Sequence, residues 1–241
     1  MMNSPLVVGY KGEIGSFILS GLLRIMPKAS NIWCVDINDS DQEVIARVKM
    51  ADVIFLCVPM QETMNWLLKY KIILKSNRTL VLEQCSLKEW LYNNDNLTGL
   101  NIRSMHVLFR PSQTPDLTDR KVALFESQFA PGTINWISRE EIRGITQSEL
   151  VWYKDAQEHD KEMALQQALV HRTLLVLGKM LKGCSGSTYM SKRVIELCDR
   201  IKKGDIDLYK LIQENKYTPD ALQELRDNFV DFDIEKIWWD K

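Results

Sequence analysis

Residues 5 to 16, Pro-Leu-Val-Val-Gly-Tyr-Lys-Gly-Glu-Ile-Gly-Ser, constrain this chain more than any other stretch. A short apolar run breaks into glycines and passes within a few residues into a helical pattern. A strand can hand over to a helix that fast only where the backbone takes conformations open mainly to glycine. The helix N-terminus then points free N–H groups into the turn, an arrangement that favours a phosphate. The glycines at 9, 12 and 15 are spaced G-x-x-G-x-x-G, whereas the usual dinucleotide fingerprint is G-x-G-x-x-G. Taken alone, the turn reads either as a dinucleotide site or as an ordinary strand-to-helix connection.

Phe17, Ile18, Leu19, Leu22, Leu23 and Met26 recur at helical spacing until Pro27 ends the pattern. Asn31-Ile-Trp-Cys-Val-Asp36 is a second apolar run, ending in an acid 21 residues beyond Gly15. In dinucleotide-binding folds a carboxylate at about 20 residues' distance accepts hydrogen bonds from the adenosine ribose and repels the 2′-phosphate of NADP. Asp36 therefore points to NAD; the alternative is a loop acid within Asp36-Ile-Asn-Asp-Ser-Asp41.

A short amphipathic helix over Glu43 to Val48 leads to Ala51-Asp-Val-Ile-Phe-Leu-Cys-Val-Pro59, the continuous apolar run of a strand buried on both faces of a parallel sheet. Pro59 opens the next helix, with Met64, Trp66, Leu67 and Leu68 as its apolar face. Arg78-Thr-Leu-Val-Leu-Glu83 reads as a fourth strand, and the polar turn Gln84-Cys85-Ser86-Leu87-Lys88 follows it at the carboxyl end of the sheet, where α/β folds place ligands. Further strands are expected around Ile102 to Leu108 and Lys121 to Phe125, with Leu150-Val-Trp-Tyr153 closing the sheet. This alternation predicts a Rossmann-type doubly wound α/β domain over residues 1–154. From Asp155 the strand signals stop, and 155–241 read as helices over His159 to Leu181, Met190 to Lys202, Leu208 to Glu214 and Pro219 to Phe229. The first is apolar over more of its circumference than one sheet contact would need, which predicts burial from several sides and hence a partner chain, making this an all-α dimerisation domain.

Thirty-one Lys and Arg against 32 Asp and Glu leave a net charge of -1, so no basic field draws the chain to nucleic acid or an anionic membrane. The longest apolar runs fall far short of the ~20 residues of a spanning helix. The N-terminus lacks the basic and then long apolar build of a signal peptide, so a cytoplasmic location is expected. Five cysteines without a C-x-x-C pair predict reduced thiols, and neither a disulfide framework nor a zinc site.

With three histidines, each can be weighed. His106 lies just past an apolar run, His159 starts the long helix, and His171 follows twelve residues later. Twelve residues rise ~18 Å along an α-helix, so the last two cannot share a metal ion. For each, a hydrogen-bonded structural role stands beside a chemical one. Ser86 and His106 could suggest nucleophilic catalysis, but the elbow G-x-S-x-G is absent.

Together, Val8-Gly-Tyr-Lys-Gly-Glu-Ile-Gly15, Ala51 to Pro59, Ser86-Leu-Lys88, Ser104-Met-His-Val-Leu-Phe-Arg-Pro111 and Glu158-His-Asp-Lys-Glu-Met-Ala-Leu-Gln-Gln-Ala-Leu-Val-His171 resemble the prephenate dehydrogenase family, most of all the dehydrogenase part of bifunctional chorismate mutase–prephenate dehydrogenases. The last segment matches a long-helix signature, E-H-D-x-x-M-A-x-x-Q-A-L-x-H, almost residue for residue. The odd glycine spacing also suits this branch, whose turn carries one extra residue.

The resemblance implies a homodimer and an NAD-dependent oxidative decarboxylation of prephenate to 4-hydroxyphenylpyruvate. It implies that His106 accepts the proton of the C4 hydroxyl and that Ser86 holds that hydroxyl and orients His106. His171 would line the substrate pocket with His159 in support, and Arg200 would meet a substrate carboxylate, with Arg193 as competitor. Gly9, Lys11, Gly12, Gly15, Asp36 and Pro59 would border the cofactor; no metal is implied. Two departures stand out: Val107 replaces the family's proline, and Arg110 replaces its glycine, either filling the pocket or offering a second carboxylate contact. Lys11 could pair with the pyrophosphate or crowd it. Arogenate or 4-amino-4-deoxyprephenate are the alternative substrates. The alternative of another class is a non-catalytic dinucleotide-binding dimer acting as a sensor.

Overall fold

A computed structural model describes residues 2–26, 31–114, 116–129, 137–182, 184–186, 188–204 and 206–230. Pro27 and the last residues of the expected helical domain, 231–241, lie outside them. The chain forms two compact units, Met1–His159 and Asp160–Lys241.

In the first unit, strands β1 (Pro5–Val8), β2 (Trp33–Val35), β3 (Val53–Leu56), β4 (Leu80–Glu83) and β5 (Asn101–Ser104) form one parallel sheet in the order β2-β1-β3-β4-β5. Helices α1 (Glu13–Ile25), α2 (Asp41–Met50), α3 (Met60–Asn77) and the short α4 (Glu89–Tyr92) connect them. Strand periodicity sends alternate residues to opposite faces. Val7, Val53, Phe55, Leu80 and Leu82 pack with Ile18 and Leu22 of α1, while Leu6, Val8, Ile54, Leu56 and Val81 pack with Val44 and Val48 of α2 and Leu67, Tyr70 and Leu74 of α3. Both faces are covered, which is why these strands read as unbroken apolar runs.

Element boundaries shift for local reasons. Helix α2 is longer than its apolar positions suggest because Ser40 and Glu43 form a capping box. Helix α3 buries Met60, Thr63, Leu67, Tyr70 and Leu74, whereas Leu68, expected on the apolar face, is exposed. That helix runs to Asn77 and ends on Arg78 in the left-handed conformation (φ 53°), so the fourth strand starts at Leu80.

The expected closing strand does not join the parallel sheet. The run around His106 divides into β5 and a separate β6 (His106–Val107), which pairs antiparallel with β7 (Lys121–Phe125); β8 (Glu149–Tyr153) pairs parallel with β7 in a distinct three-stranded sheet. Met105, between β5 and β6, still donates its N–H to Glu83 O at 3.0 Å, so the chain leaves one ladder and enters the other within two residues. Helix α5 (Arg139–Thr146), which hydrophobic spacing did not reveal, has its own signal in the capping box Ser138-x-x-Glu141. It packs tightly on α1: a Cβ on Gly21 would sit 2.1 Å from Ile145 O, and Arg24 Nη2 donates to Gly144 O and Ile145 O.

In the second unit, the end of α6 (Ala156–Met163) passes through a π-helical stretch, Ala164–Leu169, into α7 (Val170–Leu181), followed by α8 (Tyr189–Lys202), α9 (Ile206–Gln213) and α10 (Thr218–Val230). The signature segment ending at His171 is therefore no uniform α-helix, and an α-helical count along it does not hold. Gln213 Nε2 donates to Ala168 O at 2.8 Å within the wider turns, satisfying a carbonyl that a regular ladder would have used. Within the single chain, Val170, Val176, Leu177 and Met180 of α7 are exposed. All five cysteines are free, and no helix is long and apolar enough to cross a membrane among the described residues.

Candidate active site

With β2 and β3 on opposite sides of β1, the carboxyl ends of β1 and β3 flank the point where strand order reverses, the usual ligand crevice of an open α/β sheet. Gly9 follows β1 with φ +78°, and a Cβ there would lie 2.6 Å from Cys57 O beyond β3. A Cβ on Gly15 would meet Gly9 O at 2.1 Å and Tyr10 Cα at 2.8 Å, so the first turn of α1 rests directly on the backbone of the glycine turn. Gly12 is the N-cap of the helix and supplies no side-chain cap. A side chain at Gly9 or Gly15 would strike backbone, so this tight strand-to-helix turn, of the kind that fits a dinucleotide diphosphate, needs glycine at both positions. We expect Gly15→Ala to move α1, lowering the melting temperature and weakening dinucleotide binding together in a thermal shift series; an unchanged melting point would show that the contact yields easily.

Asp36 stands at the end of β2, where its Oδ2 accepts from Lys11 N at 2.9 Å and Oδ1 from Ile37 N at 2.9 Å. The backbone of Lys11 thus ties the glycine turn to Asp36, while its ammonium lies 5.6 Å from the Tyr10 ring. Pro59 caps α3.

His106, at the start of β6, is 3% exposed, and its Nδ1 lies 3.0 Å from Nε2 of His159, which is 0% exposed. The His159 ring is held edge-on by Tyr153 at 5.2 Å and Phe125 at 6.1 Å. His159 is therefore the ring that His106 meets. Burial first, then the neighbouring His159 and Lys88, push the His106 pKa well below the ordinary imidazole value. Burial thus favours the neutral ring, and the His159 contact engages Nδ1. Sequence spacing gave no hint of this pair, because its members are 53 residues apart.

Beneath the site lies a buried ion pair that sequence reading missed. Lys88 Nζ and Glu83 Oε1 are 2.7 Å apart with both side chains at 0% exposure. Tyr92 Oη donates to Glu83 Oε1 at 3.2 Å and Cys85 N to Glu83 Oε2 at 2.8 Å. Burial and the Glu83 charge raise the Tyr92 pKa well above its ordinary value, so it remains a donor. The pair bends the Gln84–Lys88 turn back onto β4, and half-buried Ser86 sits within it. In the same turn Gln84 has both amide atoms buried and unpartnered among the described residues.

Arg110 is paired with Glu13, at the start of α1, by 3.2 and 3.3 Å contacts. His171, in the second unit, meets Tyr209 edge-on at 4.9 Å; burial lowers its pKa, and its Nδ1 is buried without a hydrogen-bond partner among the described residues. Arg200 is exposed in the last turn of α8, while Arg193 is engaged by Glu196 at 2.8 Å and Tyr189 Oη at 3.2 Å. No group of three or more His, Cys, Asp and Glu suited to a metal ion occurs among the described residues.

No family model matches the chain, and no curated protein matches it. Among solved structures it is similar to a protein from Corynebacterium glutamicum described as a "putative prephenate dehydrogenase", at TM-score 0.72 and 17% identity over 96% of this chain and 81% of that one. It is also similar to a semialdehyde dehydrogenase NAD-binding protein from Cupriavidus necator in complex with calcium and NAD (TM-score 0.55, 12% identity, 92% and 99% coverage). A third is the Plasmodium falciparum pyrroline carboxylate reductase with NADP bound (TM-score 0.52, 16% identity, 96% and 93% coverage). At these identities the likeness establishes the fold: a Rossmann-like parallel five-stranded sheet followed by a mainly helical region, as in NAD(P)-binding dehydrogenases.

Proposed function

We propose that this chain is a dinucleotide-dependent dehydrogenase that uses NAD to oxidise and decarboxylate prephenate or a close analogue, with His106 as the base. The observation that carries the reading is the buried, neutral His106 imidazole bonded through Nδ1 to His159, at the edge where the parallel sheet gives way to the second sheet. Burial keeps this imidazole unprotonated near neutral pH, the state in which it can accept a proton. The glycine cradle and Asp36 support a dinucleotide, and Asp36 supports NAD over NADP. The neighbours' descriptions add NAD and NADP as bound cofactors and one prephenate dehydrogenase assignment.

In this reading the bound nicotinamide supplies the hydride acceptor. As hydride departs from C4 of the ring, His106 Nε2 accepts the C4 hydroxyl proton, the ring carboxylate leaves as CO2, and the proton returns from His106 to the phenolate oxygen to give 4-hydroxyphenylpyruvate. His159 holds the His106 ring through its contact with Nδ1. Ser86 contacts the same hydroxyl. The orphaned Nδ1 of His171 and the guanidinium of Arg200 are the substrate contacts we assign to the second unit, and the exposed apolar positions of α7 support a homodimer built on that unit.

The test is a screen of prephenate, arogenate and 4-amino-4-deoxyprephenate with NAD and with NADP, followed at the absorbance of the reduced cofactor. Turnover is expected with at least one of the three and faster with NAD. Tight dinucleotide binding with no turnover on any would favour a non-catalytic sensor, and no dinucleotide binding would end the reading altogether.

A further inference from the structure

The loop after His106 is fastened to the helix that follows the glycine turn. Arg110 Nε and Nη2 donate to Glu13 Oε2 at 3.3 and 3.2 Å, and Ser112 donates to Glu13 Oε1 through N at 2.9 Å and Oγ at 2.5 Å. One turn further along the same face of α1, Phe17 meets Phe109 edge-on at 5.4 Å, and Arg120 lies 5.7 and 5.6 Å from these two rings. The Phe17, Phe109 and Arg120 contacts also hold the loop on α1. The Arg110–Glu13 pair, with side chains 54% and 30% exposed, adds little to that.

What the pair does add is charge at a sensitive place. Glu13 is the first residue of α1, directly after Gly12. Burial pushes its carboxyl up, but the Ser112 hydrogen bonds and the Arg110 charge outweigh burial and hold it below the ordinary carboxylate range. A firmly ionised carboxylate at the mouth of a diphosphate cradle repels the ligand that the cradle fits. A guanidinium on that carboxylate cancels the repulsion, and its planar fork also matches two phosphate oxygens.

We propose that Arg110 is a diphosphate-binding residue of the dinucleotide site, held at the glycine turn by Glu13 and Ser112. This rests on the dinucleotide reading above and is independent of which substrate is oxidised. It moves Arg110 from the substrate carboxylate, where its place beside His106 in the sequence put it, to the cofactor.

The experiment titrates the full chain with NAD, ADP-ribose and adenosine by intrinsic tryptophan fluorescence. For Arg110→Ala, Kd for NAD and ADP-ribose is expected to rise about tenfold, the loss of one charge-assisted contact, with adenosine unaffected and Arg110→Lys recovering part of the loss. Glu13→Gln, which keeps an acceptor for Ser112, is expected to tighten NAD and ADP-ribose binding about two- to fivefold. The opposite signs are decisive, because a purely structural latch is broken by either variant and both would then weaken binding alike. That result, or an unchanged Kd in Arg110→Ala, overturns the inference while leaving the dinucleotide reading standing. Failure of the parent chain to bind either NAD or NADP overturns both.

Discussion

His106→Asn is expected to abolish turnover, by about a hundredfold to ten-thousandfold, while NAD binds as before. Asparagine retains a polar group of similar reach near His159 but accepts no proton at neutral pH, so the change removes the base without opening a large void. Stopped assays of reduced cofactor on the active substrate give the rate, and fluorescence titration with NAD gives the binding. Turnover within a few-fold of the parent would dismiss His106 as the base. The pH profile carries the sign of the same argument. Burial, His159 and Lys88 depress the His106 pKa, so the base stays neutral through the physiological range and kcat/KM falls only as the pH drops well below about 6.5, the ordinary imidazole value. Stability follows the same direction. The unfolded chain takes up this proton below about pH 6.5 while the folded one does not, so the unfolding free energy declines as pH falls through that window.

Lys88→Met is expected to cost about 3–5 kcal/mol of stability, the penalty of leaving one member of a buried pair without its counter-ion. Glu83 and Lys88 are both at 0% exposure, and no water reaches the orphaned Glu83 carboxylate except by opening the β4 end. Tyr92 Oη and Cys85 N still donate to it but cannot neutralise it. The double variant Lys88→Met with Glu83→Gln removes both charges and should recover much of the loss, since a neutral pair avoids the desolvation of an uncompensated ion. Urea unfolding of parent, single and double variants measures this directly. Equal destabilisation in the single and double variants would show that side-chain packing, and not the unpaired charge, sets the cost.

The parallel sheet was legible because its physics is local. Runs such as Val53–Leu56, buried on both faces, must be apolar at every position, and a glycine turn between strand and helix leaves its mark within a dozen residues. Helix α5 was legible in principle, through Ser138 and Glu141, but its apolar positions are too few to stand out over eight residues. The closing strand was misplaced for a different reason. Glu149–Tyr153 has the composition of a sheet strand, and composition does not say which ladder will accept it; β6 and β7 settled that through pairing partners distant in sequence.

The same division runs through the candidate site. The sequence by itself determined the glycine cradle, the acid at Asp36 and the three histidines worth weighing, because each depends on spacing along one or two elements. Only the tertiary structure decided that His159 meets His106, that Lys88 is answered by Glu83 in the core, and that Arg110 reaches back to Glu13 across 97 residues of chain. Those contacts are made by side chains from separate elements, and their energies depend on burial and distance, quantities that exist only once the sheet has brought the ends of its strands together.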